Sequence, residues 1–163
     1  MHQVRPSTSL SPTLTPTSAA LWQQLEEVGP KVDSLYSQLS FHSGIVAVME
    51  VLRATNGLVQ EEAPWGSEVG LDRREWVIAL VLESLRVCGV LLQPVVPNIS
   101  ARLLGRLGAE GEAREWASAT PSLPSEEAPL GKEVGALFVK VKLAGEVITV
   151  KEVKPKKTRK AKG

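Results

Sequence analysis

Apolar residues recur at helical spacing over most of this chain. The clearest run extends from Phe41 to Glu62, where Ile45, Met49, Leu52 and Val59 follow one another at steps of 4, 3 and 7. This predicts one long amphipathic helix, ended by Ala63-Pro64 because a residue before proline is pushed out of the helical region. Asn56 falls on the same register, within about 20° of Ile45 at 100° per residue. An amide on that seam is either a satisfied packing group or one aimed outside the chain. Gly57 costs the helix about 1 kcal/mol relative to alanine, a sign of close approach by another element.

The same reading places a helix from Ala19, capped by Ser18, with Leu21, Trp22, Leu25 and Val28 on one face. Gly29-Pro30 interrupts it, giving one kinked helix or two pieces. Asp72 with Glu75 forms a capping-box pattern opening a helix through Leu92. That helix is apolar almost all round and therefore central. Pro94 and Pro97 end it. Asn98 or Ser100 can cap a short helix holding Leu103, Leu104 and Leu107, closed by Gly108. Glu110–Ser118 allows one more short helix carrying Trp116. Phe138–Leu143 and Val147–Val150 read as two extended runs around Ala144-Gly145-Glu146.

The expectation is an all-α fold, a helical bundle with a small C-terminal hairpin-like segment. Its divisions are a Ser/Thr/Pro linker over 1–18, the bundle over 19–118, an irregular connection with a short extended pair over 119–153, and a basic tail over 154–163. The linker and the tail are expected to be disordered.

Charge and composition narrow the function. The 163 residues carry a net charge of +1, but six basic residues and no acid lie in 154–163. The remainder holds 13 basic and 18 acidic groups, so any nucleic-acid footprint there is local. The lone Cys88 in an apolar run reads as a small core residue. Two histidines apart from any cysteine cluster match no usual zinc spacing, so no metal is expected. No phosphate-cradling glycine loop, nucleophile elbow or His-Glu-x-x-His pair is present. The run Trp76–Leu92 is broken by Glu83, Ser84 and Arg86, so no membrane partner is expected. Residues 1–18 are Ser-rich and acid-free like an organelle transit peptide, although Arg5 is their only Arg or Lys.

Two ordered motifs carry a resemblance. Arg53-Ala54-Thr55-Asn56-Gly57-Leu58-Val59-Gln60-Glu61-Glu62-Ala63-Pro64-Trp65 resembles the "Asn … Pro-Trp" helix of the anticodon-binding domain of class I aminoacyl-tRNA synthetases. Leu91-Leu92-Gln93-Pro94-Val95-Val96-Pro97 resembles that domain's Leu-x-Pro-x-x-Pro helix break, followed by Leu107-Gly108. With Gly135-Ala136-Leu137-Phe138, the order is similar to methionyl-tRNA synthetases, and Thr55 to Gln60 to their mitochondrial form.

The resemblance implies a bundle that reads a tRNA anticodon, with one tryptophan stacked on an unstacked base. It implies methionine-accepting tRNA and the enzyme's own catalytic domain as partners. It implies no cofactor in this chain, ATP and magnesium acting in the catalytic part, whose His-x-Gly-His and Lys-Met-Ser-Lys motifs are absent here. The setting it implies is the mitochondrial matrix, with the cytoplasm as the alternative. By position Trp116 is the candidate stacking residue, and Asn56 and Arg53 the candidate polar readers. Pro64, Trp65, Pro94 and Pro97 are read as structural, with Trp65 buried against the bundle. Arg86 faces either tRNA or an acid. The alternatives are a helical protein-interaction domain with an apolar groove, and the same domain from an isoleucyl-, leucyl- or valyl-type synthetase.

Overall fold

The structure, a computed structural model, describes residues 4–5, 15–122, 128–131 and 137. Four helices carry it: α1 (Pro16–Ser37), α2 (Phe41–Glu62), α3 (Leu71–Leu91) and α4 (Pro97–Arg106). The helical class is as expected. The hairpin expected within 136–150 lies, Leu137 aside, outside the described residues, as do the tail at 154–163 and most of the linker at 1–18. Among the described residues the strand pairing is instead a two-residue bridge, antiparallel between β1 (Val4–Arg5) and β2 (Ala128–Pro129).

Local chemistry sets the helix ends, three of them otherwise than expected. Thr15, not Ser18, caps α1, accepting the Ser18 N–H on its hydroxyl at 3.3 Å. Pro16 at the first helical position explains this: its ring suits that position and holds Thr15 extended. Ser18 is buried, its hydroxyl donating to the Thr15 carbonyl at 2.9 Å. Likewise α3 begins at Leu71 behind Gly70, and Asp72 lies in its first turn without capping it. A carboxylate there is favoured by the helix dipole. α4 begins with Pro97 at its first position behind Val96, so neither Asn98 nor Ser100 is the cap. α2 closes as expected before Pro64, with Ala63 as a left-handed C-cap at a φ of 38° whose N–H donates to the Val59 carbonyl.

Gly29-Pro30 does not break α1, which is one 22-residue helix. The pair is a crossing point. A Cβ on Gly29 would lie 2.5 Å from the Ala119 carbonyl oxygen, so the chain after α4 passes directly over this glycine. Gly44 serves the same purpose on α2, where a Cβ would fall 2.2 Å from the Tyr36 ring. Gly57, by contrast, has nothing among the described residues within 4 Å of where a Cβ would lie, so the close approach expected there is not found among them.

The core lies between α1, α2 and α3. Leu21, Leu25, Val28 and Val32 of α1 meet Ala47, Val48, Val51 and Leu58 of α2 and Val77, Leu80 and Val87 of α3. Cys88 is 1% exposed, as expected of a small core residue, and burial pushes its thiol up to about 12. The buried face of α2 is Gly44, Ala47, Val48, Val51, Thr55 and Leu58. The Ile45–Val59 seam lies beside that face and stays half-open, and Asn56 is exposed.

Candidate nucleic-acid interface

Two side-chain knots hold the ends of the bundle. At one end Glu62 closes α2, Arg73 opens α3 and Thr15 caps α1. The Arg73 guanidinium makes a two-pronged ion pair with Glu62, its Nε donating at 2.8 Å, and the Thr15 hydroxyl donates to the same carboxylate at 3.0 Å. The Arg73 hydrogen bond, with Thr15 in support, holds the Glu62 carboxyl below its ordinary value of 4.5 against the opposing effect of burial. Arg73 also lies over the Trp76 ring, 5.1 Å from its centroid.

The second knot fixes the chain after α4, which folds as two 3-10 turns, Gly111–Arg114 and Trp116–Ser118, rather than one helix. Arg86 and Glu83 form a buried ion pair on α3. Arg86 donates to the carbonyls of Ser118 and Thr120, both at 2.8 Å, and Glu83 accepts the Ser122 N–H at 2.8 Å. Arg86 therefore faces an acid and backbone carbonyls. These bonds compensate the cost of burying two charges.

That strap positions Trp116. Its ring N–H donates to Asp33 of α1 at 2.8 Å, and its ring centroid is 5.9 Å from that of Tyr36. The half-buried ring borders a concavity of about 300 Å³ with Gly29, Pro30, Asp33 and Thr120. Trp65 is held differently. It was expected to be buried, yet it is 65% exposed. The cause is the turn after α2: Gly66 donates to Ala63 at 2.7 Å, and Arg74 binds the Gly66 and Val69 carbonyls, so the loop's polar backbone faces α3. The indole takes the outer side.

Arg53 and Asn56 are both exposed on α2. They do not share a concavity with Trp116. Tyr36, which touches Trp116, lies over Gly44, and Asn56 is twelve residues further along α2, about 18 Å at 1.5 Å per residue. Arg53 and Asn56 belong to the half of α2 that leads to Trp65. Pro64 follows the end of α2; Pro97 opens α4 instead of ending α3, which stops at Leu91, and Pro94 lies in the turn between α3 and α4. Among the described residues no group of acids, histidines and cysteine could hold a metal ion, and no helix is long and apolar enough to cross a membrane.

No protein-family model matches the chain. Individual relatives do. It is 37% identical over 122 residues to the mitochondrial methionine–tRNA ligase of Takifugu rubripes, covering 66% of this chain and 20% of that protein. The human mitochondrial enzyme is 35% identical over 130 residues, 73% of this chain and 22% of the relative. The chain is a relative of the methionyl-tRNA synthetases. A bacterial methionine–tRNA ligase, from Nostoc sp., is also similar, 33% identical over 97 residues, 58% of this chain and 18% of the relative. The apo crystal structure of Mycobacterium tuberculosis methionyl-tRNA synthetase matches 86% of this chain and 28% of its own with a TM-score of 0.72; at 19% identity it supports the fold alone. The chain thus spans about a fifth of the length of the curated relatives it matches.

The exposure of Trp65 is what sequence reasoning missed. Its neighbours carried the signal: Pro64 and Gly66 on either side, then Ser67 and Glu68, form a short polar turn with little to bury an indole against.

Proposed function

We propose that this chain is the anticodon-recognising, non-catalytic C-terminal region of a methionyl-tRNA synthetase, and that Trp65 is its stacking residue. The observation that carries this reading is the exposed indole in the Pro-Trp motif, at the end of the helix bearing Arg53 and Asn56. Anticodon bases are single-stranded and splay out, and a flat, solvent-facing aromatic ring is the group that captures them. Arg53 and Asn56 are the proposed polar contacts to base edges or phosphate. Trp116, hydrogen-bonded to Asp33, is proposed as the weaker candidate for stacking and as the anchor of the strap.

ATP and magnesium are proposed to act in the catalytic part of the enzyme. The tRNA and that catalytic part are the proposed partners, and the mitochondrial matrix the proposed location, because the mitochondrial forms are among the most similar relatives. The test is a titration of methionine tRNA against the wild-type chain, Trp65→Ala and Trp116→Phe. Base stacking is worth about 1–3 kcal/mol, so Trp65→Ala should weaken binding roughly 5- to 150-fold. An unchanged affinity for Trp65→Ala would remove Trp65 from the interface. A second reading, a helical protein-interaction surface, is favoured by the half-open seam of α2 and by the separation of Asn56 from Trp116.

A further inference from the structure

The first turn of α3 grips the connection that carries Trp65 at two places. Arg73 binds Glu62, the last residue of α2. Its neighbour Arg74 donates through one guanidinium nitrogen, Nη2, to the carbonyls of Gly66 and Val69 at 3.0 and 3.3 Å. Only Ala63, Pro64 and Trp65 lie between the two grips, and little freedom is left to them. Ala63 is a left-handed C-cap with its N–H on the Val59 carbonyl, and the Pro64 ring fixes its own φ. The Gly66 N–H closes back on the Ala63 carbonyl at 2.7 Å. A Cβ on Gly66 would lie 3.2 Å from that carbonyl oxygen, so the turn is tight.

Arg74 differs from the arginines of the two knots. Arg73 and Arg86 each meet a carboxylate. Among the described residues Arg74 forms no ion pair, and its Nε is buried without a hydrogen-bond partner. An unpaired buried donor costs stability. What Arg74 gains in exchange is a pair of charge-assisted bonds to backbone carbonyls, stronger than neutral ones, and both fall on the turn that follows Trp65. The ring itself is 65% exposed. An aromatic ring on a loose turn lowers its free energy by folding back onto apolar surface, so a ring that stays in solvent needs a turn that holds it there.

We infer that Arg74 is the positioning residue of Trp65: it fixes the turn so that the indole stands out, ready for an unstacked base, and it contacts no RNA itself. The inference rests on the proposed reading of Trp65 as the stacking residue. The two consecutive arginines divide the work. Arg73 ties α2 to α3, and Arg74 sets the direction of the turn between them. A ring held in its binding orientation before the base arrives loses less freedom on binding, and that saving appears as affinity. Loss of Arg74 leaves the Gly66 and Val69 carbonyls to water and frees the ring to turn inward.

The test incorporates 5-fluorotryptophan into the full chain. Its four tryptophans give four fluorine resonances, and Trp65→Phe identifies the one from Trp65. In Arg74→Met the Trp65 resonance should move by more than its line width while the other three stay in place. Arg74→Lys, which keeps a cation with donors for the carbonyls, should bring it back toward the wild-type position. Affinity for methionine tRNA should fall by about fivefold or more in Arg74→Met, the lower end of what a lost stacked base costs. Trp65→Ala and the double variant should bind alike, because Arg74 acts only through the ring. An unmoved Trp65 resonance, or all four moving together in both Arg74 variants, would overturn the inference. So would a salt dependence shallower by about one in slope for Arg74→Met, the mark of a direct phosphate contact. If Trp65→Ala itself binds as the wild type does, the stacking reading fails, and the fluorine shift still decides whether Arg74 holds the ring.

Discussion

Trp65 and Trp116 differ in what holds their rings. The Trp116 indole is tied to Asp33 and leans on Tyr36, whereas Trp65 is mostly in solvent. Removing the first should therefore cost stability, and removing the second should cost binding. Cys88 allows a sharper test. With its thiol pushed up to about 12, it should not react with a disulfide reagent at pH 8 in the folded chain, and should react fully once urea unfolds it. Partial reaction in the native state would contradict the burial. The glycines divide in the same way. Gly57→Ala should raise stability by about 1 kcal/mol, since a Cβ there meets nothing within 4 Å. Gly44→Ala should lower it, because its Cβ displaces the Tyr36 ring.

The two ion-pair knots decide how the helices stay registered. Truncating Glu83 leaves the Arg86 charge buried, and Glu83→Ala should cost about 3–5 kcal/mol in urea unfolding. A cost below 1 kcal/mol would mean that the pair contributes little. The Glu62–Arg73 pair adds a pH signature. The folded-state pKa of Glu62 is lowered, so its contribution is fully present above the ordinary value of 4.5 and is lost as pH falls through the lower folded value. Glu62→Gln should flatten the loss of stability below pH 4.5, and an unchanged acid limb would refute the assignment.

These elements also show what the sequence could reveal. The boundaries of α2, the central α3 and the glycine after α4 were legible because period and punctuation agree there. The start of α1 was not, because Pro16 and Ser18 both signal a helix start and only the backbone before proline decides between them. The buried face of α2 was misplaced by about a third of a turn. The Ile45–Val59 stripe is also apolar, and periodicity cannot tell which of two apolar stripes faces the core. The tie between Trp116 and Asp33 joins residues 83 positions apart, and no local pattern encodes it.

At the scale of the molecule, the bundle carries a proposed tRNA-facing end at Trp65, away from the strap that holds Trp116. The Trp65 end of α2 is polar and aromatic, suited to a single-stranded loop. Sequence similarity relates the chain to the methionyl-tRNA synthetases, and the central claim is the proposal that it reads the anticodon. The most direct measurement is competition between methionine tRNA and the same tRNA with its anticodon replaced, each titrated against the wild-type chain and Trp65→Ala at fixed salt. The account predicts that the wild type prefers the methionine anticodon at least tenfold and that Trp65→Ala loses most of that preference. Equal affinity of the wild-type chain for both tRNAs would contradict it.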